Sequence, residues 1–188
     1  MTTTSTVSAH PHFVAGTWRL DPTHSTITFT VKHLAISKVR GSFESFDVTI
    51  ITTADGAPSV EATIDIASVT TNQAQRDAHL RTSDFFLVDE HPTATFRSTD
   101  ATVDGDDFTL TGDLTLRGVT KQIVLTGELG GVSDDGYGTT KAGASATTTI
   151  NRHDFGVSWN AALEAGGFTL GDDVRIDIDI QVALQPAE

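Results

Sequence analysis

At 188 residues the chain suits one domain around one core, and an apolar share of 38% with 31 threonines favours strands over helices. Twelve basic against 25 acidic side chains leave a net charge of -13, which repels phosphate backbones and argues against a nucleic-acid partner, although an acidic surplus often serves only solubility. The lack of cysteine removes disulfides, thiolate metal sites and cysteine nucleophiles together.

Met1 to Gly16 is rich in Thr and Ser, with neither a basic region nor an apolar run of signal-peptide length. Residues 1–16 are therefore expected to be a disordered tail ahead of one domain over 17–188, and the chain is expected in the cytoplasm. No stretch approaches the roughly 18 apolar residues of a membrane span, so stable membrane insertion is not expected.

From Ser25 to His33 the apolar side chains fall on alternate positions, Ile27, Phe29 and Val31, the period of a half-buried strand. The period returns at Val39, Gly41 and Phe43, then shifts phase to Phe46, Val48 and Ile50, which places a bulge around Glu44 and Ser45. A turn over Ala54 to Pro58 leads to a third strand through Val60, Ala62, Ile64 and Ile66. Asn72 is suited to cap a short polar helix from Gln73 to Leu80, the one long stretch without β-branched residues.

Further strands are expected over Thr93 to Asp100, Phe108 to Leu116, Lys121 to Leu129, Thr139 to Ile150 and Val174 to Leu184. Turn residues separate them at Asp104-Gly105-Asp106, Arg117-Gly118-Val119 and Asp134-Asp135-Gly136. In the last strand Val174, Ile176, Ile178, Ile180, Val182 and Leu184 alternate without a break against polar residues. Strands of this kind either pack as a sandwich or close into a barrel of about eight.

One series of residues decides between the two. It begins with Trp18, Leu20, Asp21, Pro22, His24 and Ser25, continues through Ser68-Val69-Thr70-Thr71, Arg76-Asp77, His79-Leu80 and Ser83-Asp84-Phe85-Phe86, and then takes in His91-Pro92, Thr95-Phe96, the hairpin Gly112 to Lys121, Asn151-Arg152 and Asp154-Phe155-Gly156. Over Thr17 to Leu184 this series resembles the YceI-like polyisoprenoid-binding family. The resemblance implies an all-β, extended eight-stranded antiparallel lipocalin-like barrel with a short helical segment after the third or fourth strand. It also implies a long apolar tunnel for a polyprenyl tail, as in an isoprenoid quinone or polyprenyl phosphate, with a carrier, storage or sequestering role. Many family members look exported, a pattern from which this sequence departs.

With that family in view, the residues expected to line the tunnel are Phe29, Val31, Phe43, Ala62, Ile64, Phe85, Phe86, Phe96, Phe108, Leu114, Phe155 and Ile178. His33, Arg76, Asp77, His79 and Asp84 are the candidates for the lipid head group. Arg76 and Asp77 could equally anchor the helix, His24 could satisfy turn carbonyls, and Asn151, Arg152 and Asp154 read as a turn fixed by side-chain to backbone bonds.

No cofactor or metal is expected, because the sole His-x-His pair, His10 and His12, lies in the tail. No nucleophile elbow, zinc-protease helix or phosphate loop is present, so the chain is not expected to be an enzyme. Two other readings stand beside the carrier: a lipid isomerase or cyclase using His33 with Asp77 or Asp84 as acid and base, and a ligand-free module that forms a homodimer.

Overall fold

A computed structural model describes residues 14–54, 56–164 and 166–186. Most of the tail, with His10 and His12, lies outside the described residues, whereas Gly16 already belongs to the first strand. The strands are β1 (Gly16–Leu20), β2 (Thr26–His33), β3 (Ser37–Phe43), β4 (Phe46–Thr53), β5 (Gly56–Asp65), β6 (Val69–Thr70), β7 (Thr93–Asp104), β8 (Asp107–Leu116), β9 (Val119–Asp134), β10 (Thr140–Asn151) and β11 (Leu170–Leu184). One α-helix, α1 (Ala74–Arg81), follows β6.

Hydrogen-bonded neighbours run β1-β4-β5-β7-β8-β9-β10-β11, and β11 pairs back with β1 through Trp18↔Leu184 and Leu20↔Val182. The sheet thereby closes into an antiparallel barrel of eight strands, leaving no edge along the seam. β2, β3 and β6 prolong β1, β4 and β5 beyond one end of that ring. The break between β3 and β4 falls at Glu44 and Ser45, where the apolar phase changes.

Between β1 and β2 the chain leaves the ladder for a short 3-10 turn, Pro22–His24, held by Asp21. Its carboxylate accepts from the Thr23 hydroxyl at 2.6 Å, Lys141 Nζ at 2.9 Å and Gln181 Nε2 at 3.1 Å. The Thr23 hydroxyl and Lys141 hold the Asp21 carboxyl well below the usual carboxylate range. The His24 ring bonds Asp21 Oδ2 and the Thr23 hydroxyl rather than a turn carbonyl, because Asp21 presents both oxygens to its own turn.

Inward residues of the strands form two packed clusters. Trp18, Val48, Ile50, Ala142 and Val182 make one, and Phe96, Leu110, Leu114, Leu125, Ile150 and Phe155 are central to the other; Val60 and Ala62 touch both. Trp18 is fully buried and donates from Nε1 to the Thr52 hydroxyl at 3.0 Å.

Three local expectations are corrected. Gln73, not Asn72, caps α1: Asn72 adopts the left-handed conformation that Asn tolerates, and the Gln73 side chain accepts from the Arg76 N–H. Pro58 belongs to β5 rather than to a turn, beside a register irregularity opposite Ile51 to Thr53, where its missing N–H costs least. β9 runs to Asp134, past Leu129, because Gly131 and Gly143 face each other at a bulge that lets pairing continue.

Candidate functional site

The closed sheet encloses a cavity of about 520 Å³, within the roughly 300–1,000 Å³ usual for small-molecule sites. Strict alternation on β11 sends Val174, Ile176, Ile178, Ile180 and Val182 into it, while Arg175, Asp177 and Asp179 stay off the wall. Of the tunnel residues expected from sequence, Phe29, Val31, Phe43, Ala62, Ile64, Phe85, Phe86, Phe96, Phe108, Leu114 and Ile178 lie on the wall. Phe155 does not. It ends a 3-10 turn, Arg152–Phe155, and its ring, at 1% exposure, packs among the wall residues Phe96, Leu110, Leu114, Leu125 and Ile150 without itself reaching the cavity. Phe168, in a connecting segment, is exposed.

Three wall phenylalanines lie over glycines of the neighbouring strand. A methyl group at Gly41 would fall on the ring of Phe29, one at Gly112 on Phe96, and one at Gly127 on Phe108. The absent side chains let the rings lie back against the sheet, so the interior stays open where upright rings would fill it.

The ionisable groups of the wall, His33, Arg76, His79 and Arg152, gather with Thr71 and Thr169 at the end formed by α1 and the β2–β3 hairpin, while hydroxyls alone, Thr52, Thr53, Ser145 and Thr148, supply the polar side chains of β4 and β10 on the wall. Arg76 is exposed yet also lines the cavity, so the lumen meets solvent here. Its Nε donates to the Thr71 hydroxyl at 2.7 Å and Nη2 to the Thr71 carbonyl at 2.9 Å. His79 Nε2 pairs with Asp84 Oδ2 at 2.7 Å, and its ring meets Phe85 and Trp159 edge-on, with centroids 5.0 and 4.9 Å away.

Two head-group candidates are off the wall. Asp84 is exposed and orients His79. Asp77 is buried beneath the helix, where its Oδ1 accepts from the Thr71 N–H at 2.7 Å and from the Thr71 hydroxyl, and its Oδ2 from the Thr70 hydroxyl at 3.2 Å. It faces β6 because the one buried side of this short polar helix must supply acceptors for that segment.

Burial pushes the Asp77 carboxyl up, but the Thr71 and Thr70 hydrogen bonds and the Arg81 charge outweigh it and hold the pKa below its ordinary value. A carboxyl lowered on folding contributes stability that is fully present above its unfolded pKa, near 3.9, and is lost as pH falls through the folded value. Asp77→Ala is accordingly expected to destabilise the protein at neutral pH by more than it does at about pH 3. Urea unfolding of both proteins at each pH checks this; an equal difference at both would show that the charge on Asp77 contributes nothing.

Sequence periodicity did not mark several wall residues. Trp159 and Val157 follow the 3-10 turn in a segment without regular structure, and Arg152, buried at 5% exposure, precedes them. Leu80 carries the inward side of α1, and a lone leucine in a polar helix was the signal available. Among the described residues no group of three or more His, Asp or Glu is placed to hold a metal ion.

The YceI-like domain matches this chain over residues 18–182. A UPF0312 protein of Pectobacterium atrosepticum is 45% identical over 137 residues, 72% of this chain and 71% of its own length. The crystal structure of a Campylobacter jejuni YCEI protein is similar at TM-score 0.71 and 33% identity, covering 82% of this chain and 90% of its own. A polyisoprenoid binding domain from Saccharophagus degradans shares the fold at TM-score 0.68 and 19% identity, covering 89% of this chain and 98% of its own.

Proposed function

This chain belongs to the YceI-like family, and from that premise we propose that it binds one long-chain isoprenoid lipid in its lumen, as a carrier or store and not as a catalyst. The observation that carries the reading is the lumen itself: an almost wholly apolar tube with its ionisable groups collected at one end. Such a tube matches a molecule with a long branched apolar tail and a single polar head. Each buried C5 unit contributes a few kcal/mol at about 25 cal/mol per Å², so the tail needs no hydrogen bonds of its own. The polyisoprenoid-binding neighbour supports the same ligand class.

Arg76, His79 and His33 are the groups we assign to the head. Thr71 leaves Arg76 Nη1 uncommitted, and His79 is fixed in orientation by Asp84. For turnover, His33 would need a carboxylate partner, and both candidates are engaged elsewhere, Asp77 with Thr70 and Thr71 and Asp84 with His79. That arrangement favours binding.

Organic extraction of the protein purified from its own host, followed by mass spectrometry, tests the proposal. A stoichiometric isoprenoid is expected, and recovery of none would overturn it. Arg76→Ala is expected to weaken binding of a polyprenyl phosphate by about ten- to a hundredfold, a charge-assisted hydrogen bond being worth about 1.5–3 kcal/mol, while changing an isoprenoid quinone far less. Titration of the delipidated protein with both ligands checks this. Equal losses would confine Arg76 to holding Thr71.

A further inference from the structure

We propose that the β2–β3 hairpin, at the polar end of the lumen, is a docking element for an anionic lipid bilayer. No acidic residue occurs between Asp21 and Glu44, although the whole chain carries 25 of them, and Lys32, Lys38 and Arg40 all lie in that stretch. On the sheet Lys32 stands directly opposite Lys38, and Thr30 opposite Arg40. All three cations are exposed, and none has an ion-pair partner among the described residues. Like charges facing each other across a ladder are unfavourable in isolation, and a negatively charged surface relieves them.

The tip between these strands is apolar. Leu34 and Ala35 both take left-handed backbone angles, φ 54° and 57°, in a turn for which Asn-Gly would be the unstrained choice. Ile36 beside them is 86% exposed. The Leu34 N–H donates to the Thr169 carbonyl at 2.7 Å, which brings the 65% exposed Phe168 to the same rim. Exposed apolar side chains flanked by unpaired cations are the composition of an interfacial anchor.

A folded acidic partner fits less well, because a stable protein interface needs about 800 Å² of complementary surface per side, more than a hairpin tip offers. A bilayer demands no such shape match. The net charge of -13 does not forbid approach, since charges more than about 8 Å apart are largely screened at physiological salt. The aspartate-rich turns at Asp104 to Asp107 and Asp134–Asp135 stand at the other end of the barrel from this hairpin. Acids at the near end are partly committed: Asp172 accepts from His153 and faces Arg152, and Asp84 pairs with His79, whereas the exposed Asp173, in the β11 bulge across from Lys32, and Glu164, in the loop that carries Phe168, have no ion-pair partner among the described residues. Docking would set the mouth of the lumen against the membrane, and in that respect the inference rests on the lipid-binding reading.

The test is co-sedimentation of the delipidated full-length chain with vesicles of phosphatidylcholine, alone or with about 30 mole per cent phosphatidylglycerol. The chain should partition onto the anionic vesicles and not the neutral ones, and about 0.5 M salt should release it. Combined Lys32→Glu, Lys38→Glu and Arg40→Glu should lower partitioning about a hundredfold, each cation being worth about fivefold at such a surface. Ile36→Ser with Phe168→Ser should lower it about tenfold or more and leave the salt dependence in place. Because all five side chains are exposed, unchanged thermal unfolding identifies folded variants.

Equal binding to both vesicle types, no binding, or full binding by the charge-reversed protein would overturn the inference, as would vesicle-independent dimers that the same reversal dissolves. The two proposals fail separately. Vesicle binding without extractable lipid would retain docking and remove the carrier role, and the converse result would do the opposite.

Discussion

Ala62→Trp is expected to abolish retention of lipid while the barrel still folds. Ala62 lies on the lumen wall in β5, paired with Val48 on one side and Phe96 on the other, and it touches both packed clusters. An indole placed there projects into the middle of the 520 Å³ cavity and divides the tube into two short compartments. Neither compartment accommodates a continuous prenyl chain. Part of the new volume occupies space that is empty in the parent, so the cost to stability stays near the overpacking range of about 1–3 kcal/mol. Mass spectrometry of extracted protein, read beside a urea unfolding curve, checks both halves. Undiminished lipid in a folded variant would mean that the ligand does not run past Ala62.

The largest effect on stability is expected from Arg152→Met. The guanidinium is buried at the end of β10, where Nε donates to the Gly171 carbonyl at 2.9 Å and Nη1 to the Val157 and Trp159 carbonyls, both at 2.8 Å. Nη2 makes no hydrogen bond and faces Asp172 Oδ1 at 3.7 Å. Burial pushes the guanidinium pKa down and Asp172 opposes that shift. Methionine fills much of the volume but donates nothing, so three carbonyls lose their partner, those of Val157 and Trp159 in a segment without regular structure and that of Gly171 at the start of β11. The expected loss is about 3–5 kcal/mol, as for breaking other buried charged networks. A decrease below about 1 kcal/mol in urea unfolding would show that water replaces the guanidinium there.

Those two positions differ in how far they could be read from the sequence. Ala62 belongs to a strand whose apolar side chains alternate without interruption, and the period alone assigns it to the inner face; β11 and β2 were legible for the same reason. Arg152 sits in a turn. Its neighbours marked a side-chain-stabilised bend, but which carbonyls it would serve depended on Gly171 and Trp159, brought to it only by the tertiary fold.

β1 is not legible from periodicity, because five residues with one buried member, Trp18, show no usable period. Nearness to Arg76 and His79 in sequence groups Asp77 and Asp84 with the head group. A helix turns successive residues about 100° apart, and it directs Asp77 toward β6. For Phe155, aromatic character announces burial but not whether the ring reaches the cavity or only packs among the residues that line it.

The glycines beneath Phe29, Phe96 and Phe108 carry a consequence for which molecules the barrel admits. An aromatic ring resting on bare backbone occupies little of the bore. The calibre of the channel is therefore set at three positions on β3, β8 and β9 by side chains that are missing. A methyl group at any of them would also meet a backbone carbonyl, of Thr70, Arg97 or Ser145, so the width of the bore and the regularity of the sheet are fixed by the same three residues.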